Sequence, residues 1–99
     1  MTVAPAPSKT SAETNRLIDE ARDHNKKSEF QLARTKLTRC ITLEPNNPLC
    51  HRLLGSTYAL LKDNKKGVMH YQKFLELAPD DPSAAKVKAI VDSYESTQR

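Results

Sequence analysis

Pro45 and Pro79 stand thirty-four residues apart, and so do Pro48 and Pro82. Both pairs close the same kind of phrase: Leu43-Glu44-Pro45-Asn46-Asn47-Pro48 and Leu77-Ala78-Pro79-Asp80-Asp81-Pro82. A fixed period of this length is the signature of helical units stacked side by side. Each unit buries its apolar face only against its neighbours, so the array works through an extended surface rather than a catalytic pocket. The period therefore predicts an all-α protein whose business is binding.

The residues between the prolines sharpen the reading. Upstream of Pro79 run Leu54-Gly55-Ser56-Thr57-Tyr58, then Gly67, Tyr71 and Phe74. Shifting back by one period sets Ala21 against Gly55, Ala33 against Gly67, Leu37 against Tyr71 and Cys40 against Phe74. Residues 14–97 thus resemble the tetratricopeptide repeat (TPR) family, whose pattern is leucine-glycine, a tyrosine, a small residue, an aromatic and a closing proline. The first repeat departs from that pattern at Glu20, where leucine is expected, and at His24, where tyrosine is expected. The resemblance implies antiparallel helix pairs stacked as a short right-handed superhelix of about five helices. It divides the chain into repeat one at 14–47, repeat two at 48–81 and a capping helix at 82–97, all within one domain at 11–97.

Helix ends are written in the sequence. Thr10-Ser11-Ala12-Glu13 offers a capping box, in which Thr10 takes a free amide and Glu13 reaches back. Asn47-Pro48 and Asp81-Pro82 each set a capping side chain before a proline, whose missing amide proton costs nothing in a first turn. These signals predict helices at about 11–26, 29–44, 48–61, 64–78 and 82–96, joined by short turns. Gly55 and Gly67 fall inside helices, where glycine costs about 1 kcal/mol against alanine. Close approach of two helix backbones is the expected reason for both. In the last helix Val87, Ile90, Val91 and Tyr94 form a stripe, while Lys88 and Asp92 take the places a following helix would cover. Charges there suit a helix that ends the stack in water.

Composition narrows the function. The net charge of +4 is spread evenly, with eight basic and six acidic side chains in each of residues 1–47 and 48–99. Only five residues are aromatic, and Tyr58, Tyr71 and Phe74 fit core positions. Nucleic-acid binding needs a basic stripe with stacking aromatics, so no nucleic-acid partner is expected. Lys62, Lys65 and Lys66 read as a solvated turn. No apolar run approaches the length of a membrane span, and no membrane partner is expected. Residues 1–10, rich in Ala and Pro, read as a tail or linker and lack the apolar segment of an export signal. A cytoplasmic location follows as the expectation. Cys40 and Cys50 then read as two free, buried thiols.

Catalysis finds no support. Two glycines cannot build a phosphate loop, and His24, His51 and His70 lie on separate helices without a named acid–base partner. The spacing of Cys40, Cys50, His24 and His51 matches no zinc pattern. The expectation is a non-enzyme with no cofactor and no metal.

The resemblance places the working surface in a concave groove lined by the first helix of each repeat. Its positions are Asn15, Ile18, Arg22 and Asn25, then Leu49, Arg52, Ser56 and Ala59, then Ser83, Lys86 and Ile90. Arg22, Arg52 and Lys86 put one cation on each helix, and such groups suit carboxylates. The expected partner is a protein or peptide segment that is acidic or ends in a free carboxylate. The lysine–asparagine and lysine–arginine clamp with which some members of the family hold chaperone C-termini is missing, because Ile18, Ser56 and Ile90 flank the three cations. The resemblance implies an adaptor or scaffold, for example the interaction domain of a bacterial signalling protein. The alternative is a unit that pairs with a copy of itself, as a homodimer in a larger assembly.

Overall fold

The computed structural model describes residues 9–98, with side chains from Ala12 onward. The chain is all-α: α1 (Lys9–Lys26), α2 (Phe30–Leu43), α3 (Pro48–Leu60), α4 (Asn64–Leu77) and α5 (Ala84–Thr97). The expected tail at 1–10 lies almost wholly outside the described residues. Helix α1 begins at Lys9, two residues before the expected start, which puts Thr10 inside the helix instead of ahead of it. Asn47 caps α3 as expected, its Oδ1 accepting the Cys50 amide at 3.2 Å. Asp63 caps α4 in the same way through the Lys66 amide. At α5 the sequence reading started two residues early. The Asp81 carboxylate accepts the Ser83 amide at 2.8 Å, a local turn that delays the helix to Ala84 and leaves Pro82 ahead of it.

The thirty-four-residue period recurs in the backbone. Ser28 and Lys62 both adopt positive φ, 61° and 68°, two residues before the next helix begins. Glu29 N donates to His24 O and Asp63 N to Tyr58 O, at 2.8 and 2.9 Å. Glu44 N donates to Cys40 O and Ala78 N to Phe74 O, both at 2.8 Å. Helices α2 and α4 begin and end one period apart. The two units therefore stop and restart their helices by the same hydrogen bonds, although few side chains at these positions match.

Side-chain pairs give the directions. Early α1 meets late α2 through Glu13 and Arg39, and late α1 meets early α2 through His24 and Glu29. Arg52 near the start of α3 lies over Phe74 near the end of α4, while Tyr58 meets Lys66. Both helix pairs are antiparallel. Asn25 and Thr57, each close to its helix end, join α1 to α3 in parallel. A column of small and apolar residues fills the interior. Ala21, Ala33, Leu37 and Leu54 pack between the units, and Val68, Tyr71, Phe74, Ala84, Val87 and Val91 pack α5 onto α4. Lys88 and Asp92 are exposed and paired at 2.8 Å, in agreement with a helix that ends the described stack in water. The Asp92 carboxylate, bonded to the Lys88 ammonium and beside it in charge, raises the Lys88 pKa above its ordinary value.

Gly55 and Gly67 meet at the α3–α4 crossing. A Cβ on Gly67 would stand 2.9 Å from the Gly55 carbonyl oxygen, and one on Gly55 would stand 2.7 Å from the Tyr71 ring. Close packing is the reason for both glycines.

The cysteines do not follow expectation. Cys40 at the end of α2 and Cys50 at the start of α3 form a disulfide, with Cα atoms 6.3 Å apart. No free thiol remains. Both residues are fully buried beside Ile18, with Ile41, Leu49 and Leu53 around them. The sequence put Cys40 on an inward face and Cys50 in the next first turn. It did not show that the short Glu44–Asn47 turn brings those two positions within bonding range. The free-thiol expectation rested on the expected reducing compartment, and a bonded pair does not follow from that premise. Among the described residues no helix is long and apolar enough to cross a membrane.

Candidate functional site

Helix α5 packs on α4 and leaves a gap to α3. The gap is a cleft of about 530 Å³. Its floor is Gly67, Val68 and Tyr71 of α4; one wall is Ala59 of α3, and the other is Lys86, Ile90 and Tyr94 of α5. The geometry follows from the sequence. Gly67 keeps the α4 backbone low, so the floor carries no side chain there. Val87 and Val91 take the buried stripe of α5, which turns Lys86 and Ile90 to the cleft side. Ile90 is 41% exposed, a large apolar side chain open to solvent among the described residues. Ser93 and Thr97 add hydroxyls at the far end, and among the described residues no carboxylate lines the cleft.

The expected groove residues divide into two groups. Ala59, Lys86 and Ile90 come together in this cleft. Ser56 sits beside it, its hydroxyl 2.9 Å from the Tyr71 hydroxyl, which orients the ring of the floor. Asn15 and Arg22 are exposed on α1 and do not line it. Asn25 donates to Thr57 Oγ1 at 3.0 Å and ties α1 to α3. Leu49 is half-buried against the disulfide. Arg52 is half-buried with its guanidinium carbon 5.9 Å from the Phe74 ring centre, a packing role beside its charge. Ile18 is a correction: at 5% exposure it belongs to the core with Cys40 and Cys50. Thr14, Leu17, Ile18 and Ala21 are buried at i, i+3, i+4 and i+7, so Ile18 completes the apolar stripe of α1. Among the described residues Arg22, Arg52 and Lys86 form no ion pair.

A second cluster was not legible as such in the sequence. His51 on α3 is 7% exposed, and its Nε2 lies 2.7 Å from the Pro45 carbonyl oxygen. A carbonyl only accepts, so Nε2 carries the proton and the Nδ1 lone pair points away from the loop. That Nδ1 lies 3.1 Å from Nδ1 of His70 on α4. Tyr58 stacks on the other side of His70, with ring centres 5.6 Å apart. No residue type announces this pair; it follows from how the turn at 61–63 sets the middle of α4 against the start of α3.

Burial, with His51 adding a smaller charge effect, lowers the His70 pKa from the ordinary 6.5. The folded protein then holds this proton less readily than the unfolded chain. Below pH about 6.5 the unfolded chain binds more protons, so stability is expected to fall as pH drops through that region. Urea midpoints at pH 7.5 and 5.5 check this. The acid loss is expected to shrink in His70→Gln; an unchanged loss would assign it to other groups.

No protein-family model matches the chain, and no curated protein matches it.

Proposed function

We propose that this chain is a protein–protein interaction module of the tetratricopeptide type. It is not an enzyme on this reading, and it acts as an adaptor or scaffold by holding a short segment of a partner in the α3–α5 cleft. The observation that carries the reading is the cleft itself: an apolar floor, an exposed Ile90 and a Lys86 ammonium that pairs with no carboxylate among the described residues. An apolar partner side chain fits between Tyr71 and Ile90. A carboxylate next to it, from an acidic residue or a chain end, fits Lys86. The recurrence of the thirty-four-residue period in sequence and backbone supports a helical-repeat scaffold for this task.

Burial of the apolar side chain would supply most of the affinity, and the exposed charge would set on-rate and selectivity. Peptide arrays with acidic and free-carboxylate termini, followed by titration of the hits, identify ligands. Ile90→Asp and Lys86→Glu are each expected to weaken binding by about tenfold, the loss of part of one buried side chain or one repelled charge. Both positions are exposed, so the thermal melt is expected to hold. Binding unchanged in both variants would remove the cleft as the working surface. Light scattering at the same concentrations separates peptide capture from self-association.

A further inference from the structure

We propose that the His51–His70 pair is a two-proton pH switch that opens the outer side of the α3–α4 hairpin as the solution turns mildly acidic. The two rings meet head-on, Nδ1 to Nδ1 at 3.1 Å, with ring centres 5.4 Å apart. A single proton fits between those nitrogens. His51 already gives its Nε2–H to Pro45 O at 2.7 Å, so its Nδ1 is an acceptor and His70 Nδ1–H is the donor. One N–H···N bond thus joins the start of α3 to the middle of α4.

That bond tolerates one added proton and not two. The first goes to His70 Nε2, and the Nδ1–H···Nδ1 bond survives in a charged form. The second has only His51 Nδ1 left to take it. Two N–H groups and two positive charges then face each other, and the pair has to part. Burial decides which ring moves. His51 is 7% exposed and anchored to Pro45 O, whereas His70 is half-buried and borders a shallow surface hollow of about 360 Å³. His70 therefore swings into the hollow, leaves its stack on Tyr58 and opens His51 Nδ1 to water.

The charges around the pair favour parting. On α4, Lys73 and Glu76 border the hollow 4.0 Å apart and offset each other, and Lys66 lies over the Tyr58 ring at 5.7 Å. In the α2–α3 turn the Glu44 carboxylate is taken up by the Asn47 side chain at 3.2 Å. From α5, Glu95 reaches Gln72 at the rim, at 3.5 Å. Among the described residues neither ring bonds to a carboxylate, in contrast to His24, which has Glu29 at 2.9 Å. Nothing therefore holds two imidazolium ions side by side. The lowered proton affinity of His70, mainly from burial, keeps the pair closed at neutrality. Once parted, both rings bind protons as ordinary histidines, with pKa about 6.5, while the closed pair holds one added proton at most. Between pH 7.5 and 5.5 the open form gains about tenfold to a hundredfold on the closed form.

The test is a pH titration of the full chain from 8 to 5, without reductant. It is followed by histidine ring resonances, by the magnetic contact between the Tyr58 and His70 rings, and by amide exchange along α4. His51 and His70 are expected to titrate together, and His24 apart from them as a one-proton group. The Tyr58–His70 contact is expected to vanish on the acid side while far-UV helicity holds. Exchange protection at residues 69–73, corrected for the intrinsic effect of pH, is expected to fall at least about tenfold between pH 7.5 and 5.5. In His70→Gln that protection is expected to stay level, because the side-chain amide donates to His51 Nδ1 or, turned over, accepts from it. Should this variant fail to fold, the wild-type titration decides alone. A Tyr58–His70 contact that persists at pH 5 overturns the proposal, whether or not the rings titrate. Independent one-proton curves for His51 and His70, or loss of helicity in step with the titration, overturn it too. So does an equal loss of protection in folded His70→Gln.

Discussion

Reduction of the Cys40–Cys50 disulfide is expected to lower the melting temperature by roughly 10–20 °C. The bond spans ten residues of sequence and ties the end of α2 to the start of α3. In the chain-entropy picture a loop of this size restricts the unfolded state by about 2–3 kcal/mol. For a chain of under one hundred residues that is a large share of total stability. The junction it holds is the seam between the two units, where Ile18, Leu49 and Leu53 pack around the sulfurs. Because both cysteines are fully buried, a reductant gains access only when the chain opens. The measurement is therefore made on protein reduced in denaturant and refolded in reductant, beside a Cys40→Ala, Cys50→Ala double variant. Thiol titration of the unfolded, unreduced protein should find none. Two reactive thiols, or equal melting before and after reduction, would show that the pair plays no such role.

The legible part of this fold was whatever repeats. The prolines at 45, 48, 79 and 82, with Gly55 and Gly67, placed five helices and their directions, because each answers a local backbone requirement. The helix start at Asn47 follows the same rule. The start of α5 was misplaced because Asp81 can serve either as a cap or as the head of a turn, and only packing of Ala84 against α4 decides between them. Pairings between neighbouring helices were out of reach for a different reason. Cys40 with Cys50, and His51 with His70, are set by how the α2–α3 and α3–α4 turns aim the helices, and no residue type announces that. The candidate site shows the same division. Lys86, Ile90 and Ala59 were expected on one groove only through the family resemblance, and these three line one cleft. Ile18 could not be separated from them, because its burial depends on which side of α1 the disulfide seam occupies.

The Lys86 wall and the histidine pair lie on opposite aspects of α4. Gly67, Val68 and Tyr71 floor the cleft, while Met69, His70 and Lys73 line the other hollow. Helix α4 thus stands between the cleft and the histidine pair. Anything that fixes its crossing with α3 sets the shape of both. That crossing rests on the two glycines.

Gly67→Leu is expected to destabilise the protein by about 1–3 kcal/mol, the cost of overpacking a close contact. Gly67→Ala is the sharper test because two effects of opposite sign compete. An alanine in an unhindered helix interior would stabilise by about 1 kcal/mol over glycine. Here its Cβ would lie 2.9 Å from the Gly55 carbonyl oxygen and 3.4 Å from the Ala59 backbone nitrogen. Both are main-chain atoms of α3, so relief requires the helices to separate and cannot come from a rotamer change. At Gly55 the nearest atom belongs to the Tyr71 ring at 2.7 Å, yet the Gly67 carbonyl follows at 3.0 Å. The ring is itself buried and hydrogen-bonded through its hydroxyl to Ser56. Separation of the helices would also widen the His51–His70 distance and lift the cleft floor. Denaturant midpoints should therefore fall for Gly67→Ala, and further for Gly67→Leu, with helicity largely kept. A Gly67→Ala variant more stable than the parent would mean that α3 and α4 do not cross at these residues, and the cleft would lose the geometry on which it stands.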